Sequence, residues 1–498
     1  MHTEKRPFWH SPYFWILSVF AISRAAYYAA GVRFDVTPLD KFFQIADPLL
    51  LKTRLFETLL YLHTQPPGFN MLIGVALKLF PSSYAAALWA IYLGCGLSLC
   101  FTLFRLMRLL GVRSAVAATL TAIFLASPGV VLFENFLLYE YPMMALLCAS
   151  AVLLEWLLRQ PGRWSAAAFF GTLAALMYLR ALFHLAWFIL IAAAVLWLVR
   201  TNRRRVFAVA AVAFCFVIAL YVKNAAIVGA FTSSTWLGFN AETITTHQLT
   251  DEEHERLIAK GFLSPVGRRS TYDPLSSFSD VLPPSAPTGI PVLDQTNDST
   301  GRINYNNIAY LKLHPIYIHD AEAIIRHYPI AYVRSVVRAC FAYFLPTGDF
   351  PFFLQNGPQV EKFDRIFSTV FFGQWRRASN RKDLRRVDSA GGTWTLPLYT
   401  GTYLLIGIPL LFAWGIWKVW RAVRLRDWRN PRIILLAYIL FQILFMTAVV
   451  NLLSCFENNR YRLPIDPFFV VLLGMAIERM ISAFRASKPF SACIEQSQ

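Results

Sequence analysis

About ten apolar runs of roughly 20 residues, most of them closed by a short cluster of arginines and lysines, constrain this chain more than any other feature. At a helical rise of about 1.5 Å per residue, such a run crosses about 30 Å of hydrocarbon. Backbone amides find no water there, which favours helices that satisfy their own hydrogen bonds. The expected fold is an all-α polytopic membrane protein with about 10 to 12 transmembrane helices.

Composition leads to the same class. Hydrophobic residues make up 56% and charged residues 15%, with a mean hydropathy of +0.46, so most of the chain cannot be a water-soluble globule. A net charge of +18 would suggest nucleic acid in a soluble protein. Here the basic residues cluster between apolar runs, which is the positive-inside pattern, and no nucleic acid partner is expected. The cysteines (Cys95, Cys100, Cys148, Cys215, Cys340, Cys455, Cys493) lie mostly in apolar stretches without CxxC spacing, so they support neither a disulfide framework nor a zinc site.

The first run, about Phe14 to Val32, follows Lys5 and Arg6, lacks a small-x-small cleavage site, and reads as a signal anchor with the N-terminus in the cytoplasm. Next come Tyr84 to Leu106, Ser114 to Phe133 and Phe136 to Leu158. A hairpin of Trp164 to Leu179 and Leu182 to Val199 turns around Arg180, and Val206 to Val228 follows. Near the C-terminus, Leu398 to Trp420, Ile433 to Leu453 and Leu463 to Ile481 complete the set. The clusters at Arg105 to Arg113, Arg159 to Arg163, Arg200 to Arg205, Lys418 to Arg429 and Arg485 to Lys488 then all fall on one side. This divides the chain into a seven-span module at 1–228, an outer region at 229–397 and a three-span region at 398–498.

Two apolar stretches do not fit as simple spans. Met71 to Phe80 is too short, so Glu57 to Phe80 is expected to lie along the membrane surface as helix broken at Pro66-Pro67. Tyr328 to Leu345 crossing alone would invert every later span. It is therefore interfacial, re-entrant, or paired with a crossing near Ile366 to Phe372, which Arg376, Arg377, Arg381, Lys382, Arg385 and Arg386 favour. No inverted repeat is evident, which argues mildly against a secondary transporter.

Polar residues gather at the outer ends of the spans. Asp35, Asp40 and Asp47 follow the first span; a carboxylate near that interface can act as a general base, and loop acids also cap helices and close turns. His63 and Gln65, in Tyr61-Leu62-His63-Thr64-Gln65-Pro66-Pro67-Gly68-Phe69, can bond a sugar or phosphate, or satisfy a helix start. Glu134, Tyr139 and Glu140 lie in a tight outer turn, where carboxylates with aromatic rings suit a sugar and an interfacial belt explains the tyrosines equally. Arg180, with His184 four residues on, interrupts an apolar hairpin; its fork suits a phosphate, and snorkelling to the interface is the alternative. Arg24 raises the same question. The last span opens with Glu457-Asn458-Asn459-Arg460-Tyr461-Arg462-Leu463-Pro464, whose arginines would attract a lipid phosphate. Lys223, Asn224 and the small and hydroxyl residues from Gly229 to Asn240 allow close approach to a ligand or make an ordinary turn. His314, His319, Asp320 and His327 lack the tight spacing of a metal site.

The 61–69 stretch, the acidic segment before it, the Arg-Tyr-Arg and proline pattern at 460–464 and the 229–240 stretch together resemble the GT-C class of polytopic membrane glycosyltransferases. The resemblance implies a seven-span catalytic module, interfacial helices in the first outer loop, and transfer of a sugar from a polyprenyl-phosphate donor at the outer face. One departure stands out: Asp35 is followed by Val36 and Asp40 by Lys41, where an Asp-Glu pair is common in the class. That leaves the base and any divalent-cation dependence open, and no other cofactor is implied.

On this reading Asp35 or Asp40 accepts the acceptor's proton, Arg180, Arg460 and Arg462 hold the departing phosphate, and the configuration inverts. Asp47, His63, Gln65, Glu134, Tyr139, His184, Glu457 and Tyr461 complete the expected substrate-binding set. The acceptor is a lipid, glycan or protein, the other partners are membrane lipids, and the expected location is a plasma membrane of the bacterial inner-membrane kind with the site facing outside. A lipid-linked saccharide flippase or other transporter is the alternative. It would spread charge along the mid-spans, whereas these residues gather at the ends.

Overall fold

The computed structural model describes residues 11–282, 285–377, 399–455 and 457–487. Among these, regular structure is helical, and strand-like pairing is confined to the isolated bridges Asp35 to Phe136 and Asn297 to Ile303. In chain order the main helices are α1 (Pro12–Ala29), α2 (Gly68–Leu79), α3 (Tyr84–Leu109), α4 (Ser114–Ala126), α5 (Pro128–Glu134), α6 (Glu140–Arg159), α7 (Arg163–Leu179), α8 (Leu185–Leu198), α9 (Arg203–Val228), α10 (Leu237–Ile244), α11 (His314–His327), α12 (Pro329–Tyr343), α13 (Thr402–Arg424), α14 (Pro431–Leu453) and α15 (Asp466–Ser487).

Six described helices are long and apolar enough to cross a membrane: α3, α6, α9, α13, α14, and α15 with the turns that lead into it. The pair α4 and α5, bent by 59°, adds a seventh if counted as one span. The expected ten to twelve spans exceed that count for a local reason. The first, fifth and sixth expected spans are α1, α7 and α8, of 18, 17 and 14 residues, which are shorter or less apolar than the six. Arg24 interrupts α1, and α7 and α8 are separated by an extended Arg180 and by His184.

Helix starts follow the chemistry of the sequence. Proline occupies the first turn of α1, α5, α11, α12 and α14, where its missing N–H leaves no gap in the ladder. Gly229, at φ +71°, closes α9 in the left-handed region with its N–H on the Ala225 carbonyl. The break at Pro66-Pro67 separates the turn Leu55–Tyr61 from α2, as expected. Tyr328 to Leu345 forms the 15-residue α12, and Ile366 to Phe372 falls across two short turns, so neither is long enough to cross alone. Arg381, Lys382, Arg385, Arg386 and Leu398 lie outside the described residues.

Helices α3 and α6, α6 and α7, α7 and α9, and α1 and α4 pack side by side around one apolar core. Gly96 of α3 permits the close approach of α1 and α5, since a Cβ there would meet Phe20 and Glu134 at 2.8 Å. The 229–377 segment of short helices adds a second core of Trp236, Phe239, Phe278, Tyr305, Tyr310 and Tyr317, and Phe43 packs against it. Arg302 fastens the same loop by donating to the carbonyls of Phe42 and Ile45 (2.8 Å for Ile45). The first loop and the 229–377 region thus form one cover over the helix ends.

If the basic clusters mark the inside, a cysteine at the exposed Glu252 should react with an impermeant thiol reagent on intact cells, and cysteines at Arg204 and Arg429 only after permeabilisation. The reverse labelling would invert the orientation.

Candidate functional site

Where the cover meets the helix ends there is a cavity of about 530 Å³. Its cations are Lys41, Arg180 and Arg460, its carboxylates Asp349 and Glu457, and its aromatic walls Phe43, Trp236, Tyr272, Phe352 and Tyr461. Gln65, Asn240, Thr243, His247 and Asn459 add bonding groups. A larger hollow of about 650 Å³ between α1 and α4 is lined by residues such as Trp15, Ile16, Ala118 and Ala122 and has no ionisable lining. Ser114 and Thr119 are its polar side chains, and it offers no charge.

Two guanidiniums converge on one phenol. Arg460 Nη2 donates to Tyr461 Oη at 2.7 Å, and Arg180 Nη2 donates to the same oxygen at 3.3 Å. Arg180 also stands over the Tyr139 ring at 4.4 Å, and Arg460 over the Tyr461 ring at 4.6 Å. Glu140 Oε1 lies 3.5 Å from Arg460 Nε, and Glu457 Oε2 lies 3.3 Å from its Nη1. These contacts are ion pairs without hydrogen bonds: Nε and Nη1 of Arg460 and both oxygens of Glu140 are buried with none. Among the described residues Arg180 and Lys41 have no carboxylate within ion-pair distance. Asp349, by contrast, is engaged by Arg377 at 2.9 Å and by Gln374 Nε2 at 2.5 Å. The cavity is therefore lined by cations with few carboxylate partners, the complement of a phosphate.

Five of the expected residues line the cavity: Gln65, Arg180, Glu457, Arg460 and Tyr461. Tyr139 joins them from behind Arg180. The others are placed elsewhere. Asp35 is buried, accepts the Thr37 N–H at 2.9 Å and pairs its backbone with Asn135 and Leu137. Asp40 is exposed in the turn Pro38–Lys41, one residue before Lys41. Asp47 caps the turn Pro48–Thr53 through Leu49 N and accepts from Ser299. Glu134 is fully buried and makes a bidentate pair with Arg24 at 2.9 and 2.6 Å while accepting from Tyr141 Oη at 2.5 Å. His184 is exposed and caps α8. Arg462 donates to the carbonyls of Tyr343 and Leu345 at the end of α12 and to Asp466 at 2.9 Å.

His63 is held by neighbouring groups in the same way. It is buried, with Nδ1 2.8 Å from Thr235 Oγ1 and Nε2 3.0 Å from the Asn306 carbonyl. Burial, reinforced by nearby Lys223, pushes its pKa down to about 4. Sequence reasoning missed Lys41, Phe43, His247, Tyr272 and Asp349. Trp236 and Asn240 fell inside the flagged 229–240 stretch, but Tyr272 and His247 are single residues in a long polar region without a motif. Among the described residues no group of three or more His, Cys, Asp or Glu could hold a metal ion. Asp320 is instead bonded by Ser264 and His319.

The chain is similar to the crystal structure of ArnT from Cupriavidus metallidurans in the apo state, at 12% identity and a TM-score of 0.32, over 94% of this chain and 78% of that one. No family model and no curated protein matches the chain.

The His63 contacts have a pH signature. The unfolded chain takes up a proton near the ordinary pKa of 6.5 and the folded chain only near 4, so stability is complete above about 6.5, falls as the pH drops towards about 4, and changes no further below that. The loss is on the order of 3 kcal/mol. Thermal unfolding in detergent from pH 4 to 7 should show this slope, and His63→Gln should flatten it.

Proposed function

We propose that this chain is a membrane glycosyltransferase that moves a sugar from a polyprenyl-phosphate donor to an acceptor hydroxyl at the outer face, with inversion. The convergence of Arg180 and Arg460 on Tyr461, in a cavity also lined by Lys41 and with no carboxylate paired to Arg180 among the described residues, carries the reading. As the bond between the anomeric carbon and the phosphate oxygen breaks, negative charge builds on the phosphate, and fixed cations aimed at that oxygen lower the barrier. The aromatic walls suit the apolar faces of a sugar ring, and Gln65, Asn240 and Asn459 its hydroxyls.

A single displacement needs a base on the face opposite the phosphate. Asp40 is the better of the two expected aspartates, because its carboxylate is exposed beside the cavity-lining Lys41 while that of Asp35 is occupied by Thr37. Glu457 is the competing carboxylate, and it already faces Arg460. The outer-face placement rests on the basic clusters at the opposite helix ends. A flippase would need a polar path along the spans. The cavity residues instead occupy helix ends.

Transfer of labelled sugar from a polyprenyl-phosphate donor by the reconstituted full chain tests this. Arg180→Gln should reduce transfer by about 10²- to 10³-fold, and Asp40→Asn by about 10²- to 10⁴-fold, with protein abundance unchanged. Full activity in Asp40→Asn with loss in Glu457→Gln would move the base to Glu457. Lipid-linked sugar crossing the bilayer without transfer would replace the enzyme by a transporter.

A further inference from the structure

A second basic hollow, of about 160 Å³, lies between the C-terminal half of α13 and α15. Lys418, Arg421 and Arg479 line it with Trp414 and Trp417. Each cation of α13 is stacked on the ring one turn before it: Lys418 Nζ is 4.7 Å from the Trp414 ring centre, and the Arg421 guanidinium is 5.6 Å from that of Trp417. Stacking of this kind fixes a long side chain against the helix without neutralising it.

Counter-charge is scarce. Among the described residues, none of the three cations forms an ion pair. Asp427 is the one carboxylate in the lining, and it accepts from Asn430 at 3.2 Å. The carboxylate next to Arg479 in sequence, Glu478, is already used by Arg113, which bonds it through Nε at 2.7 Å and through its backbone N–H at 2.9 Å. Three cations held together with so little compensation repel one another until an anion joins them.

The position selects the anion. α13 and α14 are both long and apolar enough to cross a membrane, and the hollow lies where α13 runs out of apolar sequence into Arg421, Arg424 and Arg426. Tryptophan and arginine at that level belong to the headgroup layer, and basic pockets between membrane helices take phospholipid headgroups. From this geometry we infer that α13 and α15 form a binding site for one anionic phospholipid, its phosphodiester held by Lys418, Arg421 and Arg479 and its acyl chains lying against the exposed apolar face of α13, which includes Leu410 and Trp417. The inference is independent of the glycosyltransferase reading.

Native mass spectrometry of the full chain, reconstituted in equal parts phosphatidylglycerol and phosphatidylethanolamine and then released into detergent, reads the site. The wild-type chain should retain phosphatidylglycerol at least tenfold in preference. The Lys418→Gln, Arg421→Gln, Arg479→Gln variant should lose that preference. Arg203→Gln, Arg204→Gln, Arg205→Gln, which removes the same charge at the start of α9, should keep it. Equal retention of both lipids by the wild-type chain overturns the proposal even if the triple variant does not fold. So does loss of preference in the α9 variant, which would mean diffuse charge, or displacement of the bound lipid by millimolar inorganic phosphate, which would mean a site for free anions.

Discussion

A backbone in hydrocarbon has no partner except itself, and the layout of this molecule follows from that constraint. Long apolar runs become helices whose middles hold few charges, and polar chemistry is displaced to the helix ends, where the ladder already leaves N–H and C=O groups unmatched. Tyr139 and Glu140 open α6, Arg180 closes α7, and Asn458 to Arg462 lead into α15. Helix packing brings those three ends together. The cover formed by Lys41 to Gln44, Gln65 and α10 then turns an array of helix ends into a cavity.

The same constraint explains why many polar residues at this level serve the fold. A loop pressed onto helix ends buries its own groups, and each needs a partner. Asp47 and His63 find theirs in Ser299, Thr235 and Asn306, and Glu134 finds Arg24 and Tyr141. Sequence identified every one of these residues as unusual, because a charge or an imidazole beside an apolar run is conspicuous. It could not identify their partners, which lie from 110 to 252 positions away for Arg24 and Ser299. Helix extents were legible for the opposite reason: the hydropathy of α3, α6, α9, α13 and α14 is local. Where a charge or a turn interrupts the apolar run, as in α1 and between α7 and α8, the helices are shorter or less apolar than the others.

The Arg-Tyr-Arg stretch shows how far helical geometry could have gone. Residues two apart on a helix point to nearly opposite sides, so Arg460 and Arg462 cannot both face one phosphate from the turn Asn458–Arg462. Arg462 turns to the frayed carbonyls at the end of α12, where a cation is favoured, and to Asp466. Arg460 turns to the cavity.

Several buried or half-buried arginines meet carboxylates among the described residues, and in Arg24, Arg462 and Arg460 the contact takes different forms. Arg24 and Glu134 make a bidentate pair, and Arg462 and Asp466 a direct hydrogen bond. Breaking either leaves a desolvated charge behind, so both act as fixed joints. Arg460 is flanked by Glu140 and Glu457 at 3.5 and 3.3 Å, close enough for their charge to hold the guanidinium in place, but its Nε and Nη1 hydrogens are unspent. Those two nitrogens are buried, so on the proposed reading a phosphate in the cavity would meet the charge of a guanidinium whose position is already fixed. A carboxylate bonded tightly to Arg460 would hold it equally well but would quench it as a ligand. On the proposed reading, two contacts of this looseness hold the arginine without the bidentate pairing that would quench its charge.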